Sequence, residues 1–275
     1  MSARSCNQLG LMMMLWGMIV VASCTTVALC DDVVVSPVLP RLAVLELHNR
    51  SDYRGHMMGR RAAEGLQAAL GSIGRWELIE RGQVRRECRE MDLQPPFAVG
   101  YQQALGHKLR ADMLLTGYVE QVRISSGDGT VAVHLALDIV DRICGQPVAS
   151  LQAQGSARRT KTNPSPTDVI VSKALQAACL EAAEIASTMP LYSAVVTSIS
   201  GGAISLDTVQ PAAAAVGDRL LIYRMSGEPT GPRLVGVLMV TEVERGRVQT
   251  AVMGTAGELY REDTAVCVGP IRPAQ

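Results

Sequence analysis

RLAVLEL at residues 41–47, WELIER at residues 76–81 and RADMLLTGYV at residues 110–119 are three compact apolar runs separated by helix-like sequence. The first reads as a strand through Leu42, Val44 and Leu45, ending near His48 and Asn49. Ala62, Leu66, Ala69, Leu70 and Ile73 follow at i, i+4, i+7, i+8 and i+11, which puts them on one face of a helix over about residues 55–70. Gly71 and Gly74 stop that helix, and Trp76, Leu78 and Ile79 make the next strand. A strand, a helix and a strand in this order predict a parallel pair joined by a right-handed crossover.

Downstream, residues 83–91 read as a second helix with Val84, Cys88 and Met91 on one side, broken by Pro95 and Pro96. A third helix is expected over residues 97–109, with Phe97, Tyr101 and Leu105 aligned. Residues 113–119 form a buried strand that runs on to Ile124 and a polar turn, SSGDG, where Asp-Gly signals a hairpin. The return strand, residues 131–140, alternates: Val131, Val133, Leu135, Leu137 and Ile139 face one way, Ala132, His134, Ala136 and Asp138 the other. Gly145 and Pro147 mark another turn, and residues 148–155 a third antiparallel strand. After a polar loop, a helix over residues 166–187 shows a small-residue face through Val169, Ile170, Lys173, Ala174, Ala177, Ala178, Glu181, Ile185 and Ala186. Residues 41–190 are therefore expected to form an α/β (α+β) sandwich with a mixed sheet.

From residue 191 the pattern changes. Short apolar runs at residues 195–196, 203–206, 219–223, 234–243, 248–252 and 264–268 are punctuated by Gly201-Gly202, Gly217-Asp218, Gly231-Pro232, Arg245-Gly246 and Gly254. Close turns between short strands predict a small all-β barrel or sandwich over residues 191–275, and Gly236 inside its strand predicts a bulge.

The N-terminus has a different character. One charge, Arg4, precedes the apolar run LGLMMMLWGMIVVA, roughly 14 residues against the roughly 20 that a membrane-crossing helix needs. A basic start, a short apolar core and small residues make residues 1–23 a signal peptide. Val21, Ala22, Ser23 and Cys24 resemble the lipobox of bacterial lipoproteins, which implies lipidation at Cys24; the competing reading is an ordinary cleaved leader with a cysteine nearby. Residues 24–40 then act as a tether closed by Pro37 and Pro40. The 26 basic and 26 acidic residues balance, so no charge excess points to nucleic acid. Aromatic content of 3% argues against a base-stacking surface and against the aromatic girdles of a lipid-facing barrel.

The ordered segments resemble the CsgG-like family of bacterial envelope lipoproteins, related to the N-terminal domain of TolB. In that family a first strand and helix lead to a strand ending in Glu-Arg, here Glu80-Arg81, and a strand opening on Ala-Asp and carrying a glycine, here Ala111-Asp112 through Gly117. A looser resemblance links VTSISGGAISLD, VGDRLLIYR and VGVLMVTEVERGRVQTAV to the C-terminal β module of FlgT-like envelope proteins. The resemblance implies a non-enzymatic, lipid-anchored scaffold or accessory factor in envelope assembly or curli-type secretion. Its partners would be other envelope proteins, the membrane through its lipid, and further copies of itself. Thr25 after Cys24, where no Asp stands, implies the outer membrane, facing the periplasm. Two rival readings are an oligomeric curli-type channel subunit and a flagellar-ring or cell-wall-synthase accessory lipoprotein. Against the channel, the one candidate hairpin has a five-residue turn, carries Glu120, Arg123 and Asp138, and supplies strands the domain sheet needs.

No catalytic, cofactor-binding or metal-binding residue is expected. His48, His56, His107 and His134 lack metal-ligand spacing, and the cysteines outside the leader and lipobox (Cys30, Cys88, Cys144, Cys179 and Cys267) form no CxxC pair. Cys88 and Cys179 fall on apolar helix stripes and read as small buried hydrophobes. Glu80-Arg81 reads as a strand-end ion pair or turn cap, and Asp138 and Asp141 as solvent-facing or turn carboxylates.

Overall fold

A computed structural model describes residues 38–53, 56–125, 127, 129–159, 166–200, 202–208, 213–225, 231–244 and 247–270. The expected signal peptide with Cys24, Cys30 and most of the expected tether lie outside the described residues. The described residues belong to one compact unit.

The first half is a six-stranded mixed sheet with four helices. Strand β1 (Arg41–Val44) pairs in parallel with β3 (Glu77–Leu78) on one side and β4 (Met113–Ile124) on the other, so the predicted parallel pair is present. β2 (His48–Asn49) continues β1's line along β4 after a break. β5 (Thr130–Asp141) and β6 (Pro147–Arg158) extend the sheet antiparallel, giving the order β3-β1-β4-β5-β6. Helix α1 (His56–Gly71) fills the β2–β3 crossover, α2 (Arg81–Glu90) and α3 (Val99–Leu109) fill the β3–β4 crossover, and α4 (Thr167–Ser187) follows β6.

β1 is apolar at successive positions because both of its faces are covered. Leu42 and Val44 join the large core beneath α1 and α4, while Ala43 and Leu45 join a smaller core beneath α2 and α3 with Leu105, Leu109 and Leu114. β5 alternates as expected: Val131, Val133, Leu135, Leu137 and Ile139 are buried, and the opposite set is half-buried. α4 lies so close to β6 that a Cβ at Gly155 would stand 2.1 Å from the Ala174 carbonyl oxygen and the Ala178 nitrogen. Only glycine permits that approach.

Two helix faces differ from the sequence expectation. Tyr101 is 57% exposed, and α3 instead buries Gln102, Leu105, Gly106 and Leu109. The reason is that Phe97 precedes the helix, so its alignment with Tyr101 does not carry over, and the Gln102 amide turns back to donate to the Phe97 carbonyl at 2.8 Å. On α4, Val169 is exposed and Lys173 points outward, whereas Val171, Leu175, Cys179, Ala182 and Ala183 are buried beside the predicted Ile170, Ala174, Ala178 and Ala186. α4 packs on the sheet and on α1 together, so it buries two adjacent stripes where one was expected.

The second half is a closed antiparallel barrel. β7 (Ser193–Ser200), β8 (Ala203–Thr208), β9 (Arg219–Arg224), β10 (Arg233–Glu244), β11 (Arg247–Thr255) and β12 (Thr264–Gly269) run in the order β10-β11-β8-β7-β12-β9. Its interior holds Val196, Leu206, Leu220, Ile222, Leu238 and Val248, among others. The β10–β9 register shifts between Leu234 and Gly236, the irregularity that the strand glycine predicted.

Candidate functional site

The sheet and the barrel share a core. Leu221, Tyr223, Leu234, Val237, Val266 and Val268 of the barrel pack into the same apolar cluster as β1, β4, α1 and α4. At its edge lies a polar clasp built on Asp112, the carboxylate of the Ala-Asp motif. Arg110 closes α3 in the left-handed conformation, which lets the chain turn directly into Ala111 and β4. Asp112 and Arg41 exchange two bonds: the Arg41 backbone N–H donates to Asp112 Oδ2 at 2.9 Å, and the Asp112 N–H to the Arg41 carbonyl at 2.8 Å. The Tyr223 hydroxyl, from β9, donates to the same Oδ2 at 3.1 Å.

Burial drives the Asp112 pKa up; the Arg41 N–H, the Tyr223 hydroxyl and the charges of Arg142 and Arg41 oppose that shift. Burial, with the Asp112 charge added, drives the Tyr223 phenol well above its ordinary value, so it remains a protonated donor. Arg142 is drawn down by desolvation, and its Nε is buried without a hydrogen-bond partner. A cavity of about 590 Å³ opens beside the clasp between Arg41, Asp112, Arg142, Tyr223 and Arg233. A carboxylate held by a backbone amide and a phenol that does not ionise makes a latch, not an acid–base pair.

Glu80 and Arg81 stand at the start of α2, Glu80 at the N-cap position, but neither the expected ion pair between them nor a side-chain cap of the helix forms among the described residues. The Arg81 Nη1 instead donates to the Val44 carbonyl of β1. Asp141 is buried in the turn after β5, where its carboxylate accepts from the Cys144 N–H at 2.5 Å and the Gln146 N–H at 3.4 Å. Asp138 accepts from the Ser150 hydroxyl at 2.5 Å. Both carboxylates therefore serve strand and turn geometry.

Cys88, Cys144 and Cys179 are free thiols. Cys179 is fully buried against α1, as expected, and burial pushes its thiol up to about 12. Cys88 is half-buried, and desolvation pushes it up to about 11; Cys144 reaches about 11 through burial and the neighbouring Asp141. No group of three His, Cys, Asp or Glu side chains able to hold a metal occurs among the described residues. No helix among them is long and apolar enough to cross a membrane.

The latch partners of Asp112 escape a sequence reading. Tyr223 sits in RLLIYR, where it reads as one more buried strand residue, and Arg142 as an ordinary turn arginine. Their approach across 111 and 30 residues is a product of the fold alone; the one available signal was an aspartate leading directly into an apolar strand.

No family model and no curated protein matches this chain. Solved structures similar to it include lipoprotein GNA1162 from Neisseria meningitidis, at 14% identity over 47% of this chain and 87% of that one, with a TM-score of 0.36. The C-terminal domain of LpoB from Salmonella enterica matches at 16% identity over 43% of this chain and 83% of its own, TM-score 0.33. A subunit of the PelC dodecamer from Paraburkholderia phytofirmans matches at 17% identity over 51% and 86%, TM-score 0.32.

Proposed function

We propose that this chain is a non-enzymatic, lipid-anchored scaffold or accessory factor of the bacterial cell envelope. Cys24 carries its anchor at the outer membrane, and it acts by binding other envelope proteins during assembly or curli-type secretion. The observation that supports this reading is the fusion of sheet and barrel through one apolar core and the Asp112–Tyr223 latch. Two modules locked together at the end of a tether present one fixed surface to a partner, which is what a scaffold requires. The raised Cys88, Cys144 and Cys179 thiols agree with it, since protonated thiols are poor nucleophiles near neutral pH. Against a channel subunit, the strands of the candidate hairpin, β4 and β5, are committed to the domain sheet, where β4 pairs with β1 and β5 with β6.

Membrane fractionation of the wild-type chain and Cys24→Ala tests the anchor: the wild type is expected with the membranes and the variant in the soluble fraction. Native mass in mild detergent, with identification of co-purifying proteins, tests the role. A small complex with another envelope protein supports the scaffold; a large homo-oligomer that conducts ions in a bilayer would replace it with the channel.

A further inference from the structure

We infer that the cleft between α1, α2 and the segment 91–98 is a binding site for an oxyanion, a phosphate or carboxylate carried on a partly apolar body. This goes beyond the scaffold reading and stands whether or not Cys24 carries lipid.

The cleft encloses about 410 Å³, within the range of small-molecule sites. Arg60, Arg81, Arg85 and Arg89 line it, against a single lining carboxylate, Glu46. In a chain whose charges balance overall, that is a local concentration of cations.

Arg81 decides the chemistry. Its Nη1 is tied to the Val44 carbonyl, which fixes the plane of the guanidinium. The other two nitrogens, Nε and Nη2, are shielded from bulk water and have no hydrogen-bond partner. Those two N–H groups lie side by side on one edge of the plane and form the fork that matches two oxygens of a carboxylate or phosphate. Leaving such a fork unmet in a buried place is costly; both donors are closed to water in this conformation, so an oxyanion meets them once the side chain turns that edge to the cleft. Burial also pulls the Arg81 pKa down, the mark of a cation held in a poorly hydrated place. No described carboxylate stands within 4.0 Å of it: Glu64 is shared at the rim by Arg60 at 3.2 Å and Arg85 at 3.4 Å.

Gly82, in the first turn of α2, also lines the cleft. The opposite wall is apolar, made by Val84, Leu93, Pro95 and Phe97, and suits a ring or short hydrocarbon next to the charged group.

The test is calorimetric titration of the full-length chain with inorganic phosphate, glycerol phosphate and phenyl phosphate, each balanced with sodium chloride to constant ionic strength. Saturable binding at one site is expected. Arg81→Lys keeps the charge but loses the fork, and is expected to weaken binding about tenfold or more. Arg86→Ala, an exposed position outside the cleft, is expected to bind as the wild type does. Should Arg81→Lys fail to fold, Arg89→Ala at the exposed rim decides the matter, with an expected loss of about threefold. Phenyl phosphate binding tightest would assign the site to a soluble amphiphile; glycerol phosphate binding tightest would assign it to a lipid-type headgroup. No saturable binding to any of the three probes, or equal binding by folded Arg81→Lys and wild type, would overturn the inference.

Discussion

The two faces of the sheet are built differently. Beneath α1 and α4 lies a large core that runs without interruption into the barrel and takes in Leu42, Leu66, Val133, Ala174 and Tyr223. Beneath α2 and α3 lies a small core of Ala43, Leu45, Val84, Leu105 and Leu114, which reaches β5 only at Val140. Farther along β5 and β6, the residues on that second side (His134, Ala136, Gln152, Gln154) are half-buried or exposed. The first face is tightly packed and joins modules. The second is incompletely covered, and the arginine-lined cleft lies at its other end, where α2 meets α1.

The largest expected effect comes from opening the first face. Gly155→Val is expected to cost about 4–5 kcal/mol or to prevent folding, because its side chain would have to occupy the backbone of α4. Circular dichroism melts of the purified variant measure this, and a loss under 1 kcal/mol would show that α4 can move away from β6. Truncations on the two faces sharpen the contrast. Leu66→Ala in the large core is expected to cost about 3 kcal/mol and Val84→Ala in the small core about 1–2 kcal/mol, by denaturant unfolding; equal costs would mean that the second face is packed as well as the first.

Tyr223→Phe removes one donor to Asp112 and is expected to cost about 1 kcal/mol at neutral pH. Its pH dependence has a definite sign. The Asp112 pKa is raised by burial, so its favourable contribution is complete below the ordinary aspartate range and is lost as pH rises through the folded value. The Tyr223 bond restrains that rise, so the variant's deficit is expected to grow from acid toward neutral pH, as melts at a series of pH values would record. A deficit that shrank with pH would mean Asp112 is not the carboxylate concerned. The smallest effect is chemical: Cys179 is expected to resist a maleimide at pH 8 in the folded protein and to react at once in denaturant, whereas Cys88 reacts at an intermediate rate.

Much of this architecture was legible in the sequence because it rests on local periodicity. The alternation of residues 131–140 requires a strand with one covered face, and it was found in that role; RLAVLEL reads as a strand, which the structure breaks after Val44 and resumes at His48–Asn49. The glycine-punctuated runs after residue 191 became six short strands for the same reason. Which side of α3 and α4 faces inward was read incompletely, since a helix packing on two neighbours buries a wider arc than a single stripe shows.

The sequence alone, then, determined the order and type of elements and the change from α/β to all-β, since each is written in neighbouring residues. Only the tertiary structure decided that the six strands close into a barrel, that Tyr223 reaches Asp112 across 111 positions, and that Arg81 lines one cleft with three other arginines. Those depend on how separate elements dock. Docking is set by the shape and desolvation of whole faces, which no local spacing encodes.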